Sequence, residues 1–146
     1  MRKVYYHTES VTLSFDEDRS TAYAVWNGFL SSHEFQEAVL ACIGLIEENG
    51  ITRWLADNPK MKAIRQADQA WFVEVIMPRL LQSSLRRMAT LVSEDLFNKM
   101  AVEQMIQRAG NLHHLAMCDF KDEGEAMLWL MAPFSVENPA KSRDER

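Results

Sequence analysis

The sequence predicts an α/β protein, a mixed sheet of five or six strands with four helices packed on it. Three observations carry this. Short runs of alternating apolar and polar residues open the chain, joined by connections that favour antiparallel neighbours. Helical and extended patterns then alternate to near the end of the chain. The strand–helix–strand stretch over residues 20–57 is long enough for its two strands to pair in parallel.

Residues 3–7, 11–15 and 20–26 read as the first three strands. Val11, Leu13 and Phe15 alternate with polar neighbours, the pattern of a half-buried strand. Asp16, Glu17, Asp18 and Arg19 form a polar turn, and Gly28 stops the run of β-formers at Thr21, Tyr23 and Val25. Ser31 and Glu34 stand at capping-box spacing, so each side chain can meet an orphan amide of a first helical turn. Phe35, Val39, Ile43 and Ile46 recur at helical intervals with Cys42 on their face, and Asn49 and Gly50 end that helix. Residues 51–57 are the next strand, and 58–67 a connection without a clear pattern.

Asp68 is expected to cap a second helix running to about Leu81. Its inner face would hold Trp71, Phe72, Val75 and Ile76, with Pro78 kinking or ending it. Residues 87–92 form a strand. Ser93 or Asp95 caps a third helix ending near Gly110, with Leu96, Phe97, Met100, Ala101, Met105 and Ile106 inward. Residues 112–119 are the last strand. Asp122 with Glu125 caps a final helix that carries Ala126, Met127, Trp129 and Leu130 and stops before Pro133. Strands 51–57, 87–92 and 112–118 are expected at the centre of the sheet. Residues 1–134 make one domain, and the polar tail 135–146 is expected to fray.

A chain of 146 residues has the size of one domain and buries about 70% of its unfolded surface, enough to need no disulfide or metal. A net charge of −5 argues against a nucleic acid or an anionic membrane as partner. Cys42 and Cys118 form no CxxC pair and read as small buried hydrophobes. The N-terminus lacks the apolar run of a signal peptide, and no apolar stretch approaches the roughly 20 residues of a membrane span. The expected location is cytoplasmic.

Catalytic and metal chemistries find little support in the motifs. The histidines are His7, His33, His113 and His114; the last two are adjacent on a strand and point to opposite faces, so they cannot share an ion. There is no HExxH, no zinc-spaced Cys/His cluster, no GxSxG elbow and no phosphate-cradling glycine pattern. No cofactor is expected, although acids and histidines can converge in space without a sequence signal. Trp26, Trp54, Trp71 and Trp129 sit at apolar-periodic positions that suit a core, an aromatic-lined pocket or a dimer surface. The nine methionines suit irregular cores and adaptable sites alike.

Asp57 and Asn58 are the most informative pair. They fall where a strand ends ahead of a helix, the place where ligands gather in open α/β sheets. Lys60, Lys62 and Arg65 follow as a basic cluster on an acidic chain, and Trp71 lies one turn into the next helix. Solvated loop charge explains the cluster; so does an interaction face made of Asp57, Asn58, Lys60, Lys62, Arg65 and Trp71 that meets a protein partner or an anion.

The order of elements resembles the STAS domain, and more closely the bacterial SpoIIAA-like branch grouped with lipid-binding CRAL-TRIO domains. The residues that carry this are Trp26-Asn27-Gly28, Ala56-Asp57-Asn58, Asp68-Gln69-Ala70-Trp71, Arg87 through Val92, Phe120, Glu125-Ala126 and Trp129-Leu130. The match covers about residues 3–132. The resemblance implies a small cytoplasmic regulatory or protein-interaction module that is not an enzyme, or a module binding a small apolar or anionic molecule between helices and sheet. It leaves a homodimer open. Regulatory members are phosphorylated on a serine or threonine just after an aspartate. The positional counterpart here is Asn58, which has no hydroxyl, and Ser83 and Ser84 lie beyond the second helix. A docking module should show a well-packed interior and an exposed apolar patch; a ligand binder should show a pocket lined by methionines and tryptophans.

Overall fold

A computed structural model describes residues 1–92, Met100 and residues 115–134. Six strands form one mixed sheet in the order of the chain: β1 (Arg2–His7), β2 (Val11–Asp16), β3 (Thr21–Gly28), β4 (Arg53–Met61), β5 (Arg87–Leu91) and β6 (Ala116–Phe120). The first three are an antiparallel meander, and β3 through β6 pair in parallel. The α/β class and the mixed six-stranded sheet are thus as expected. Of the strands expected at the centre, β4 is central and β5 is interior, whereas β6 is not. The parallel strands are added in one direction only, so β6 forms an edge and β3 and β4 are central.

Helix α1 (Ser32–Asn49) starts and stops on the residues the sequence marks. Ser31 Oγ accepts from Glu34 N at 3.1 Å, and Glu34 Oε1 accepts from Ser31 N at 2.8 Å. Gly50 closes the helix at φ 59°, a left-handed value that glycine adopts without a Cβ penalty. Asp122 likewise caps the last helix, α4 (Glu123–Met131), by accepting from Glu125 N at 2.9 Å.

The second helical body departs from expectation at both ends. Helix α2 (Gln66–Trp71) starts two residues before Asp68, with Arg65 as its N-cap, so Asp68 lies inside the first turn. The body then widens into a π-turn (Phe72–Ile76) before continuing as α3 (Met77–Gln82). The body runs on to Gln82, so Pro78 does not end it; the proline sits in the first turn of α3, directly after the π-turn. The π-turn also shifts the phase of the side chains: Ile76 is buried as expected, whereas Val75, expected inward, is 45% exposed.

Right-handed crossovers between parallel strands added in one direction place their helices on one face. The larger core cluster fits this, with Leu13, Ala24, Trp26 and Trp54 of the sheet packed beneath Phe35, Ile43 and Ile46 of α1 and Ile76, Met77 and Leu80 of the second body. The opposite face carries a smaller cluster, in which Tyr23, Leu55, Ala89 and Leu91 meet Ala126 and Leu130 of α4. The expected third helix lies outside the described residues except for Met100, which is helical but 45% exposed rather than inward. The tail from 135 and residues 112–114 of the expected last strand, with His113 and His114, also lie outside.

Candidate functional site

The C-terminal end of β4 is irregular, and the irregularity builds the site. Val25 of β3 pairs with Asp57, but the next partners are Asn27 and Lys60. Strand β4 therefore takes three steps where β3 takes two, a bulge at Asn58 and Pro59. Proline has no N–H for a ladder, so a bulge is where a strand inside a sheet tolerates it. The extra residue reverses the alternation. Trp54, Ala56 and Asn58 face the α1 side by normal period-two spacing, and beyond the bulge Met61 joins them. Asp57 and Lys60 open instead onto a groove on the other side. The strand continues to Met61, so residues 58–61, expected in a connection, are strand.

On the α1 side a cavity of about 120 Å³ lies between sheet and helices. The sheet contributes Trp26, Trp54, Asn58, Met88, Thr90 and Met117. Helix α1 contributes Phe35, Val39, Cys42, Ile43 and Ile46, and the second body contributes Phe72, Ile76, Met77 and Leu80. The π-turn lies along this wall: Met77 N–H donates to Phe72 O, five residues back, which stacks Met77 under Phe72 on the cavity side. Burial pushes the Cys42 thiol up, so it stays protonated and packs as a hydrophobe.

Asn58 and Thr90 are the uncharged polar side chains among the described residues of this wall, and Asn58 stands out. It is only 6% exposed, and its Oδ1 accepts no hydrogen bond among the described residues. A buried acceptor left unmet costs about 1–3 kcal/mol. A second orphan oxygen is Asp68 Oδ1. The other carboxylate oxygen of Asp68 accepts from Ser32 Oγ at 3.0 Å, which ties the start of α2 to the start of α1.

The groove on the opposite side gathers His7, Thr12, Val25, Asp57 and Lys60. His7 Nδ1 and Thr12 Oγ1 are 2.8 Å apart. Burial holds the Asp57 carboxyl above its usual range and Glu123 adds to this, while Lys60 and Arg2 oppose it.

The residues singled out in the sequence therefore separate. Asp57 and Lys60 share the groove, and Asn58 is among the residues lining the cavity behind it. Lys62 is exposed, and its main-chain N–H reaches Gly28 O at 2.8 Å. Arg65 is exposed with its guanidinium 5.0 Å from the centre of the Phe29 ring. Trp71 is half-buried, edge-on to Phe35 at 6.2 Å. The sequence left a pocket between helices and sheet open as an alternative but did not place Asn58 in its wall. The available signal was Asn58 in phase with Trp54 and Ala56 on a buried face, next to a proline that requires a bulge.

Among the described residues no three His, Cys, Asp or Glu side chains converge as metal ligands, and no helix is long and apolar enough to cross a membrane. Comparison with protein-family models, curated proteins and solved structures finds no match to this chain.

Proposed function

We propose that the chain is a cytoplasmic, STAS-like binding module that holds a small, largely apolar molecule between the sheet, helix α1, the π-turn and α3. The observation that carries this is the cavity with Asn58 in its wall. Protein interiors hold few voids larger than a water molecule. A pocket of about 120 Å³ leaves its lining side chains without packing partners on one side, and an occupant that fills it restores those contacts. The wall is built of the residues a ligand binder needs: Trp26 and Trp54 as flat contact surface, and Met61, Met77, Met88 and Met117 as thioethers that adapt to shape.

Toluene is the direct probe of the cavity. Tryptophan fluorescence should respond saturably to it, because Trp26 and Trp54 line the cavity, and the melting temperature should rise. Ala56→Leu, which fills the cavity from the sheet, should abolish both effects. A response that never saturates, with no shift in melting, contradicts the proposal.

A second reading, docking of a protein partner through residues 57–71, is favoured by Trp71 being half-buried and by Phe29, under Arg65, being 51% exposed. Changing Lys60, Lys62 and Arg65 together to alanine separates the two. Ligand binding should survive that change, whereas a docked partner should be lost with the fold intact.

A further inference from the structure

We infer that the cavity selects an uncharged molecule with a carbonyl oxygen that accepts from both the Asn58 amino group and the Thr90 hydroxyl, while an apolar arm fills the space beside them. This rests on the cavity reading above and adds the chemistry of the ligand. The two polar residues come from neighbouring strands. Ala56 of β4 stands opposite Thr90 of β5, and Asn58 lies two residues beyond Ala56 on the same face. Asn58 and Thr90 are therefore diagonal neighbours across the sheet, close enough for one guest atom to meet both side chains.

The atoms they present decide the polarity of the ligand. Asn58 is 6% and Thr90 5% exposed, and the other described lining residues are aliphatic, aromatic or sulfur-bearing. Asn58 Oδ1 has almost no accessible surface, so the polar atom of this side chain that a guest can reach is Nδ2. An amide nitrogen only donates, and a hydroxyl can turn to donate. Neither group is engaged in a hydrogen bond among the described residues. A carbonyl oxygen has two lone pairs and can accept from both. A guest donor would serve the hydroxyl alone and face the hydrogens of the amino group.

The cavity is open on one side, and Phe72, Met88 and Met117 in its lining are only half-buried. Solvent that enters meets both donors. A hydrocarbon that displaces this solvent strands them, whereas a carbonyl replaces the bonds it displaces. The opening also means that a volume of about 120 Å³ bounds the inserted arm and not the whole molecule. Charge comes last. No Lys, Arg, His, Asp or Glu is among the described residues that line the cavity. A carboxylate inserted there gains two donors but no counter-charge for the water it loses.

The experiment is a titration of acetophenone, α-methylstyrene and benzoate into the wild-type protein, Asn58→Val and Thr90→Val, read by calorimetry. α-Methylstyrene has the shape of acetophenone, with a CH2 group in place of the oxygen. Acetophenone has no donor, so a loss of its affinity at Asn58 reports the amino group. Each substitution should weaken acetophenone roughly fivefold, the value of one hydrogen bond, and leave α-methylstyrene as tight as before. Benzoate should not bind. If Asn58→Val disturbs the bulge, Asn58→Leu, closer to the shape of the amide, gives the same reading. Loss of acetophenone affinity at one of the two positions alone overturns the shared oxygen. Equal losses for acetophenone and α-methylstyrene, or none for either, overturn the carbonyl assignment and leave the cavity reading standing. Benzoate binding as tightly as acetophenone overturns neutrality. Saturable binding of none of the three overturns both this inference and the function it rests on.

Discussion

Beneath α4, the charged groups at the sheet margin are met by main-chain carbonyls. Arg53 Nε donates to Leu130 O at 2.8 Å, and Arg87 donates to Trp129 O at 3.1 Å and to Pro133 O at 3.2 Å. The Trp129 and Leu130 carbonyls belong to the last turn of α4, where carbonyls have no partner within the helix and lie at its negative end; Pro133 follows just beyond it. Both guanidiniums and that of Arg86 also lie over the Phe134 ring, at 4.2 to 4.7 Å. Beneath α1 and the second helical body the order is reversed. The apolar cluster is larger, yet it surrounds a void, and the amide oxygen of Asn58 meets no donor. The α4 face closes around its polar groups, whereas on the other side the oxygens of Asn58 and Asp68 stay unmet. On the proposed reading, that difference separates a structural face from one that receives a ligand.

The comparison can be broken by substitution. The largest effect is expected at Leu130, which is fully buried against the sheet: Leu130→Ala should lower stability by about 2–5 kcal/mol in urea unfolding. A loss below about 1 kcal/mol would mean that the α4 face is as loosely filled as the other. Next is Arg87→Met, which keeps an apolar side chain of similar reach but removes the guanidinium over Trp129 and its donors to the end of α4. It should cost about 2 kcal/mol, and hydrogen exchange should show the last turn of α4 opening first.

On the cavity side the sign reverses. Asn58→Val removes an unmet acceptor and should raise the stability of the ligand-free protein by about 1 kcal/mol in the same urea assay. A loss of similar size would show that the amide is held in the empty protein. The smallest effect is expected at Asp57. Its folded carboxyl binds a proton more readily than the unfolded one, so ionising it disfavours folding. That cost is absent below the ordinary carboxylate range, grows as pH rises through it, and is complete above the raised value. Asp57→Asn should therefore gain within about 0.5 kcal/mol near pH 7 and nothing at pH 3, measured by melting across pH.

Legibility in the sequence follows the range of the interactions. The capping box of Ser31 and Glu34, the left-handed Gly50 and the cap at Asp122 are contacts within a few residues, and the sequence marks each. The alternation of Val11, Leu13 and Phe15 is as local, and all three are buried. Asp68 misleads because an acidic residue ahead of an apolar run resembles a cap; its carboxylate is engaged by Ser32, 36 positions away in the chain. Val75 misleads because a straight helical period runs through a π-turn. Of the groove residues, Asp57 was visible at a strand end and Lys60 in the basic cluster that follows it. The side to which Asn58 turns was not, because it depends on the register of β3 against β4 across a bulge.

The most direct test of the cavity as a ligand site is a phenol titration followed on the methionine methyl groups by NMR, with carbon-13 in each methyl. Met61, Met77, Met88 and Met117 line the cavity, whereas Met127 packs on the α4 cluster and the Met131 sulfur lies 3.9 Å from Thr21 Oγ1. The four cavity methyls should shift together and saturate, because an aromatic ring seated among them changes their local field, while Met127 and Met131 stay in place. Shifts that are largest at Met127 and Met131, or small and equal at all six, would contradict the account.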